Sequence, residues 1–98
     1  MPNKGILVLK KELEELRSKP PGLELVAMLN KLARVSLRLN PIKSETWAQE
    51  ALILAEEIGF LIGQAKSCQA LGTIYQQKGN FAESMSYCQK SLKIYEEL

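Results

Sequence analysis

The sequence predicts an all-α fold of five helices, in which one N-terminal helix precedes two helical hairpins. Three observations support this prediction. Apolar residues recur with the period of an α-helix along the whole chain, and no alternating segment is long enough for a β-strand. Pro and Gly residues interrupt that pattern at four points. The segment 51–59 also recurs 40 residues later, at 91–98, as internal repeats of helical arrays do.

The four interruptions predict helices at about 4–18, 22–39, 41–57, 61–77 and 81–97. Gly is favoured just after a helix, Asn at the N-cap and Pro in the first turn, and the breaks have these residues: Pro20-Pro21-Gly22, Asn40-Pro41, Gly59 to Gly63, and Gly79-Asn80. Asn80 and Glu83 have the spacing of a capping box. Connections this short make consecutive helices antiparallel neighbours. We therefore expect one domain over 1–98, with the N-terminal helix in 1–19, the first hairpin in 22–58 and the second in 61–98.

The apolar rows predict how the helices pack. The first helix has one apolar stripe, formed by Ile6, Leu9, Leu13 and Leu16, so it packs on one side. The fifth helix has two rows, of which only one can pack on the fourth helix. Repeat proteins bury their apolar faces only against neighbours. The other row therefore predicts a homodimer through the C-terminal helix, with self-association residues drawn from Tyr87, Leu92, Ile94, Tyr95 and Leu98.

Composition excludes several function classes. The chain of 98 residues has no His, and all 11 acidic residues are Glu. Without His there is no Ser–His or Cys–His dyad, and two cysteines, Cys68 and Cys88, cannot complete a tetrahedral zinc site. The scattered glycines form no phosphate-binding loop. We therefore predict a protein that is not an enzyme, with no catalytic residue, metal or cofactor.

Charge and hydropathy bear on location and partners. No apolar run approaches the ~18 residues of a membrane helix, and the N-terminus lacks the apolar stretch and cleavage site of a signal peptide. Two cysteines make no disulfide framework, so we expect a cytoplasmic protein that does not bind membranes. A net charge of +2 is too small for the usual nucleic-acid-binding protein, and we expect no nucleic-acid partner.

The last third of the chain carries a recognisable motif. Residues 65–98 contain Leu71-Gly72 with Tyr75 three residues later, a turn with Gly79 and Phe81, and small residues at Ser84 and Ser91. This segment resembles a tetratricopeptide repeat, in the longer variant of about 40 residues, and residues 22–64 resemble it more weakly. The resemblance implies a solenoid of about two repeats, in which Gly72 and Ser84 allow close helix approach and Tyr75 and Phe81 fill the wedge between repeats. It also implies a protein–protein interaction module.

Charge separates by helix layer. The first helices of the two hairpins carry five Lys or Arg against one Glu, a net of +4, and the second helices carry three Lys against seven Glu, a net of −4. The resemblance places the first helices on the concave surface. Such a surface suits an acidic peptide, and the predicted groove residues are Asn30, Arg34, Arg38, Lys66, Gln69, Thr73 and Gln76. The same residues also fit an ordinary solvated face.

Two functional readings remain open at this point. The first is the N-terminal scaffold or regulatory part of a larger signalling protein, which the resemblance implies. The alternative is a stand-alone homo-oligomerising helical module whose main partner is a second copy of itself.

Overall fold

The computed structural model describes residues 4–18 and 22–98. It contains five helices, α1 (Lys4–Arg17), α2 (Leu23–Ser36), α3 (Pro41–Glu57), α4 (Leu61–Gln77) and α5 (Phe81–Glu97), and no strand within those ranges. The all-α prediction is confirmed. Part of the predicted N-terminal helical segment 1–19 lies outside the described residues, and the single-domain division of 1–98 stays a prediction.

The predicted end of α2 was three residues too late. Residues 37–39 form a turn, and Asn40 adopts a non-helical conformation with φ −149° and ψ 80°. A residue that precedes proline is disfavoured in the helical region, because the proline ring would clash with its backbone. The Asn40 side chain instead caps α3 by accepting a hydrogen bond from the Lys43 backbone amide at 3.1 Å.

The helices pack as two antiparallel hairpins, α2 with α3 and α4 with α5, joined by contacts between α3 and α4. In the described part of the chain α2 also touches α4, whereas the backbones of α3 and α5 do not approach one another. The first helices are therefore closer together than the second helices. The α2 and α4 side is consequently the concave side, as expected of a helical-repeat fold.

Serine hydroxyls join the helices of each hairpin. Ser84 donates to the carbonyl of Gly72 at 2.7 Å, and Ser44 makes the corresponding bond to the carbonyl of Ala33 at 2.5 Å. Both serines are buried. The two donors are 40 residues apart and the two acceptors 39. The internal repeat is thus a repeat of tertiary hydrogen bonds as well as of residue pattern.

Glycines permit two close helix contacts. A Cβ on Gly63 would lie 2.9 Å from the Val26 side chain and 2.5 Å from the Phe60 ring, and one on Gly72 would lie 2.6 Å from the Cys88 sulfur. Distances below about 3 Å between such atoms require something to move. The expectation that Gly72 and Ser84 lie where α4 and α5 approach closely is therefore confirmed.

The turns that follow α3 and α4 have the same backbone structure. Gly59 and Gly79 have positive φ, at 69° and 77°, and the residue after each glycine donates its amide to a carbonyl five residues back. This is the Schellman ending of a helix. In the second turn the Asn80 amide bonds to the Tyr75 carbonyl at 2.9 Å.

The predicted capping box at Asn80 is not formed, since its side chain makes no cap hydrogen bond. A capping box needs the backbone amide of the N-cap residue as a donor for the glutamate three residues later. Here that amide already donates to Tyr75, so Glu83 has no corresponding partner.

The aromatic residues between the repeats differ from expectation. Tyr75 is half buried, and its ring stacks on Tyr87 with centroids 5.6 Å apart. Its hydroxyl donates to Glu45 of α3 at 2.7 Å, so Tyr75 does connect the two hairpins. Phe81, however, is 65% exposed. The expectation that Phe81 fills the wedge between the repeats is wrong, because Phe81 lies on a part of α5 that no described helix covers.

The helix α1 packs on α2. Leu13 is the residue of α1 that enters the core, and Leu9 and Leu16 pack beside it. Arg17 makes a bidentate ion pair with Glu50 of α3, with one of its two contacts at 2.8 Å. The apolar stripe predicted for this helix therefore faces the core.

Candidate functional site

A groove lies on the concave side, between α2 and α4. It has a volume of about 340 Å³, and its walls are Asn30, Ala33, Arg34, Leu37, Lys66, Gln69, Ala70, Thr73 and Ile74. Five residues predicted from the sequence line it: Asn30, Arg34, Lys66, Gln69 and Thr73. Arg38 and Gln76 are exposed but lie outside this lining.

The groove is positively charged. Its lining contains Arg34 and Lys66 and no carboxylate. Among the described residues the ion pairs are Arg17 with Glu50 and Lys78 with Glu45, so neither cation of the groove is neutralised by an ion pair. The Lys78 ammonium, counted with the inner layer in the sequence, is bound by an outer-layer carboxylate. Of the inner-layer cations, Arg34 and Lys66 line the groove, and Lys31 and Arg38 are exposed outside it.

Asn30 has polar capacity that the fold does not use. Its side chain is 7% exposed, and its Nδ2 has no acceptor among the described residues. Its Oδ1 lies 2.9 Å from the Ser67 hydroxyl, which is also 2.8 Å from the Gly63 carbonyl. One hydroxyl hydrogen can serve only one of these acceptors. Whichever way the amide is turned, one of its polar atoms remains without a partner in the wall of the groove.

The floor of the groove was not predicted. Ala33, Leu37, Ala70 and Ile74 give it an apolar base beneath the polar rim. Each helix contributes a pair with i, i+4 spacing, which lies next to the polar stripe along the helix surface. That spacing is visible in the sequence, but it does not tell whether the four residues form the floor of a groove or part of the core. The distance between α2 and α4 determines which of the two they form.

The opposite side of the molecule has the opposite charge. A second groove, with a volume of about 880 Å³, lies along α3 and is lined by Glu45, Glu50 and Glu57 together with Arg17, Leu25, Ile42, Thr46, Gln49, Ile53 and Leu54. Its lining carries three carboxylates against one cation. A further groove with three carboxylates and one cation lies between α1 and α2, lined by Glu12, Glu15, Glu24 and Lys31 with Leu16, Ala27 and Met28.

The carboxylate of Glu45 takes part in a compact polar cluster at that second groove. Hydrogen bonds from Lys78 and from Tyr75 lower the pKa of Glu45. The same bond to Glu45, with burial, raises the pKa of Tyr75 to about 12. These shifts describe a cluster that holds α3 against α4, and its members are already bonded to one another.

The predicted self-association residues divide into two groups. Leu92, Tyr95 and Leu98 are exposed, whereas Tyr87 and Ile94 are half buried. The Tyr87 ring is used within the chain, where it stacks on Tyr75. Two further apolar side chains of α5, Phe81 and Met85, are exposed and were absent from the predicted set.

The cysteines have different surroundings. Both are free, Cys68 in the core and Cys88 at the surface of α5. Burial raises the pKa of the Cys68 thiol, which makes its reactive thiolate scarcer. In residues 4–18 and 22–98 no three acidic or cysteine side chains are grouped to hold a metal ion. No helix in these ranges is long and apolar enough to cross a membrane.

Residues 65–98 match the family model of the tetratricopeptide repeat. The matched segment runs from the second turn of α4 to the end of the chain, and it contains the Ser84–Gly72 bond. No curated protein and no solved structure matches the chain. The resemblance seen in the sequence is thus confirmed over this segment. A tetratricopeptide repeat indicates a protein–protein interaction module, since such arrays present concave binding surfaces.

Proposed function

We propose that this protein is a non-catalytic interaction module that binds an acidic peptide segment in the groove between α2 and α4. The observation that carries the proposal is the lining of that groove, which has two unpaired cations, no carboxylate and an unpartnered amide above an apolar floor. Its volume of about 340 Å³ lies in the range of ordinary ligand pockets.

The cations account for the acidity of the ligand. The guanidinium of Arg34 presents a planar fork of donors that matches a carboxylate, and Lys66 adds a point charge from the neighbouring hairpin. Glutamate or aspartate side chains, or a C-terminal carboxylate, would satisfy both. In the outer groove Glu45 and Glu50 are paired with Lys78 and Arg17, and that groove offers no cation without an ion pair among the described residues, so the concave side is the one that attracts an acidic segment.

The polar side chains account for an extended peptide. Gln69 and Thr73 are exposed along α4, and the buried amide of Asn30 faces them from α2. An extended backbone offers both N–H and C=O groups, so it can pair with the unpartnered atom of the Asn30 amide if the peptide displaces the side chains that bury that atom. Apolar side chains of the peptide would rest on Leu37 and Ile74. Such a short groove suits affinity on the order of micromolar, weakened by salt.

The experiment is a binding titration with fluorescein-labelled octapeptides. One peptide is rich in Glu, and a matched peptide has Gln at the same positions. We expect the Glu peptide to bind in 50 mM salt and to weaken at least about tenfold in 300 mM salt, while the Gln peptide binds weakly throughout. Equal binding of both peptides would contradict the proposal.

Charge-reversal variants locate the binding surface. Arg34→Glu and Lys66→Glu should each raise Kd by about tenfold or more, which corresponds to about 1.4 kcal/mol. Lys93→Glu is the matched control, because it changes the net charge equally at an exposed position on α5. Equal losses for Arg34→Glu and Lys93→Glu would show that the effect comes from overall charge.

A variant of Asn30 separates binding from folding. Replacing Asn30 by Ala removes an Nδ2 that has no partner and an Oδ1 whose donor, Ser67, keeps the Gly63 carbonyl as an acceptor, so the free energy of unfolding should fall by no more than about 1–2 kcal/mol. Peptide binding should nevertheless weaken several-fold. An Asn30→Ala variant that binds the Glu peptide as well as the natural chain does would remove this residue from the site.

The wider role is part of the same proposal. A module that holds a peptide without altering it suits the N-terminal scaffold or regulatory part of a larger signalling protein in the cytoplasm. The support is the family match over 65–98 together with the charged groove. Binding of an acidic segment from a partner protein, or from another part of the same protein, would serve that role equally.

A further inference from the structure

The surface of α5 that faces away from α3 is an uninterrupted apolar stripe. Its members follow one another at intervals of 4, 3, 4 and 3 residues, which is the spacing of a helix–helix seam: Phe81, Met85, Cys88, Leu92 and Tyr95. We call this set the α5 stripe. Phe81, Met85 and Leu92 are 65%, 62% and 59% exposed, and Tyr95 is 39% exposed. The helix α4, which among the described helices is the one that packs on α5, reaches the edge of the stripe at Cys88, whose sulfur lies against Gly72.

The corresponding face of α3 is covered by a helix. The residues 40 positions before Cys88, Leu92 and Tyr95 are Ala48, Leu52 and Ala55. These are 0%, 9% and 0% exposed, since α4 packs over α3. From the position of Cys88 onwards, therefore, this face of a second helix is one that another helix buries, whereas the α3 residues at the positions of Phe81 and Met85 are the exposed Pro41 and the half-buried Glu45. The α5 stripe has the apolar character of that face and lacks the covering helix.

The order of side chains in the stripe makes it complementary to itself. Phe81 and Tyr95 each lie seven residues from Cys88, and Met85 and Leu92 lie three and four residues from it on either side. An antiparallel pair of α5 helices with its two-fold axis at Cys88 brings Phe81 against Tyr95 and Met85 against Leu92. Cys88 has the smallest side chain of the stripe, and its sulfur packs towards Gly72 of α4, so the two helices can approach closely at the axis.

The α5 stripe could be covered by a second copy of this chain or by a further helical repeat. The edge of α4 beside the stripe favours the second copy. A following repeat would cover α4 as well as α5, just as α4 covers both α2 and α3. The residues of α2 that correspond to Gln69 and Gln76 by the offset of 39 are Asn30 and Leu37. Leu37 packs against the core, whereas Gln76 is exposed. A partner that contacts α5 alone leaves this polar edge in water.

We propose that two copies of this chain associate through the α5 stripe, as an antiparallel two-fold dimer centred on Cys88. An isologous contact of this kind needs one self-complementary patch, which the stripe supplies. The stripe itself carries no charge, and the antiparallel register sets Glu96 opposite Asn80, so no like charges meet there. The stripe and the peptide groove share no residue, so the dimer and the proposed function can fail independently.

The first test is the mass of the chain in solution, measured by light scattering. The interface is one helix wide and smaller than the standard ~800 Å² per partner, so we expect the mass to rise towards twice 11.0 kDa between roughly 10 and 300 μM chain. Leu92→Glu and Met85→Glu should both remain monomeric across that range, with unchanged helical circular dichroism. Two exposed positions are used so that one misfolded variant does not decide the result.

The matched control is Ile53→Glu, because Ile53 is 55% exposed on α3 and lies outside the stripe. This variant should dimerise as the natural chain does. Dissociation by Ile53→Glu to the same extent, a dimer that survives Leu92→Glu, or a natural chain that is monomeric at 300 μM would each overturn the proposal. Assemblies larger than a dimer would overturn it too, since a two-fold contact closes.

The second test reads the register by disulfide formation with diamide, which accepts the two hydrogens released when two thiols join. The natural chain should form a covalent dimer through Cys88, and Cys88→Ser should form none, because Cys68 is buried. In a Cys88→Ser/Leu92→Cys chain the two new thiols would be about 12 Å apart along the helix axis in the antiparallel register. That chain should not cross-link. Cross-linking at both positions would indicate a parallel pair and overturn the register.

Discussion

The Ser84 hydroxyl donates a hydrogen bond to the Gly72 carbonyl at 2.7 Å, across the interface between α5 and α4. Ser44 makes the same bond to Ala33 between α3 and α2. The small side chains bring the two helices of a hairpin close together, and the hydroxyl fixes their relative height. Gly72 lies within α4, whereas Ala33 is among the last four residues of α2, whose carbonyls have no partner within the helix, so Ser44 supplies a donor there.

The first prediction concerns these serines. Ser84→Ala and Ser44→Ala should each lower the free energy of unfolding by about 1 kcal/mol, because the carbonyl of Gly72 or Ala33 loses the hydroxyl that donates to it. The two losses should be additive, since the bonds lie in different hairpins. Urea unfolding measures both. The control is Ser86→Ala on the exposed side of α5, which should change stability little. Unchanged stability in Ser84→Ala would show that this bond does not hold the hairpin, which also has the buried bond from Ser91 to the Ala65 carbonyl at 2.9 Å.

The second prediction concerns Gly72. Gly72→Leu should destabilise the chain by roughly 1–3 kcal/mol, because its side chain meets the α5 backbone near Ser84 as well as the Cys88 sulfur. The first hairpin has Ala33 and Ala48 at the positions of Gly72 and Cys88. The double variant Gly72→Ala/Cys88→Ala should therefore be tolerated, within about 1 kcal/mol of the natural chain. Thermal and urea unfolding test this, and a Gly72→Leu chain as stable as the natural one would disprove the close contact.

The third prediction concerns the attachment of α1. Leu13 is 5% exposed, whereas the Arg17 and Glu50 side chains of the ion pair are 42% and 35% exposed. Leu13→Ala should cost about 2 kcal/mol or more, and Arg17→Ala less than about 1 kcal/mol. Hydrogen exchange of the α1 amides should accelerate strongly in the first variant and slightly in the second. The reverse order would mean that the ion pair, rather than the apolar contact, holds α1.

The fourth prediction concerns pH. The hydrogen bond to Glu45 and burial raise the pKa of Tyr75 from 10.0 to about 12, so the folded chain holds this proton more tightly than the unfolded chain does. The resulting stability is complete below pH 10 and is lost as the pH rises towards 12. Urea unfolding at pH 9 and pH 11 should show the loss. Tyr75→Phe should remove this contribution to the pH dependence. If that variant lost as much stability between pH 9 and pH 11 as the natural chain, the loss would come from other groups.

At acid pH the same cluster acts in the opposite direction. Hydrogen bonds from Lys78 and Tyr75 lower the pKa of Glu45 below its ordinary 4.5, so the folded state favours the carboxylate. This contribution is present above pH 4.5 and decreases as the pH falls through the lowered pKa. Glu45→Gln should reduce the acid dependence of stability between pH 5 and pH 3.

Local residue chemistry was sufficient to predict the helices. The glycines with positive φ, Gly59 and Gly79, and the cap at Asn40 are each recognisable from the residue and its neighbours. The unfilled capping box at Asn80 shows the limit of such rules. Its amide is used by Tyr75, a competing partner that depends on how α4 ends.

The candidate groove could be predicted in part, for a similar reason. Helical spacing places Asn30 and Arg34 on one face of α2, and the repeat places Gln69 and Thr73 on the equivalent face of α4. The spacing cannot show that Arg38 falls beyond the end of α2, outside the groove. It also cannot show that Lys78 turns to Glu45, since the distance from α4 to α3 is a property of the packed helices.

The two serine bonds also bear on how the chain folds. They join residues only 11 and 12 positions apart in the sequence, and each helix packs on its immediate neighbours, apart from the contact of α2 with α4. Closing loops of this size costs little entropy and takes well under a microsecond. Either hairpin can therefore form first and serve as a template for the other. Helical proteins with such local contacts fold in microseconds to milliseconds, and we expect this chain to belong to that fast class.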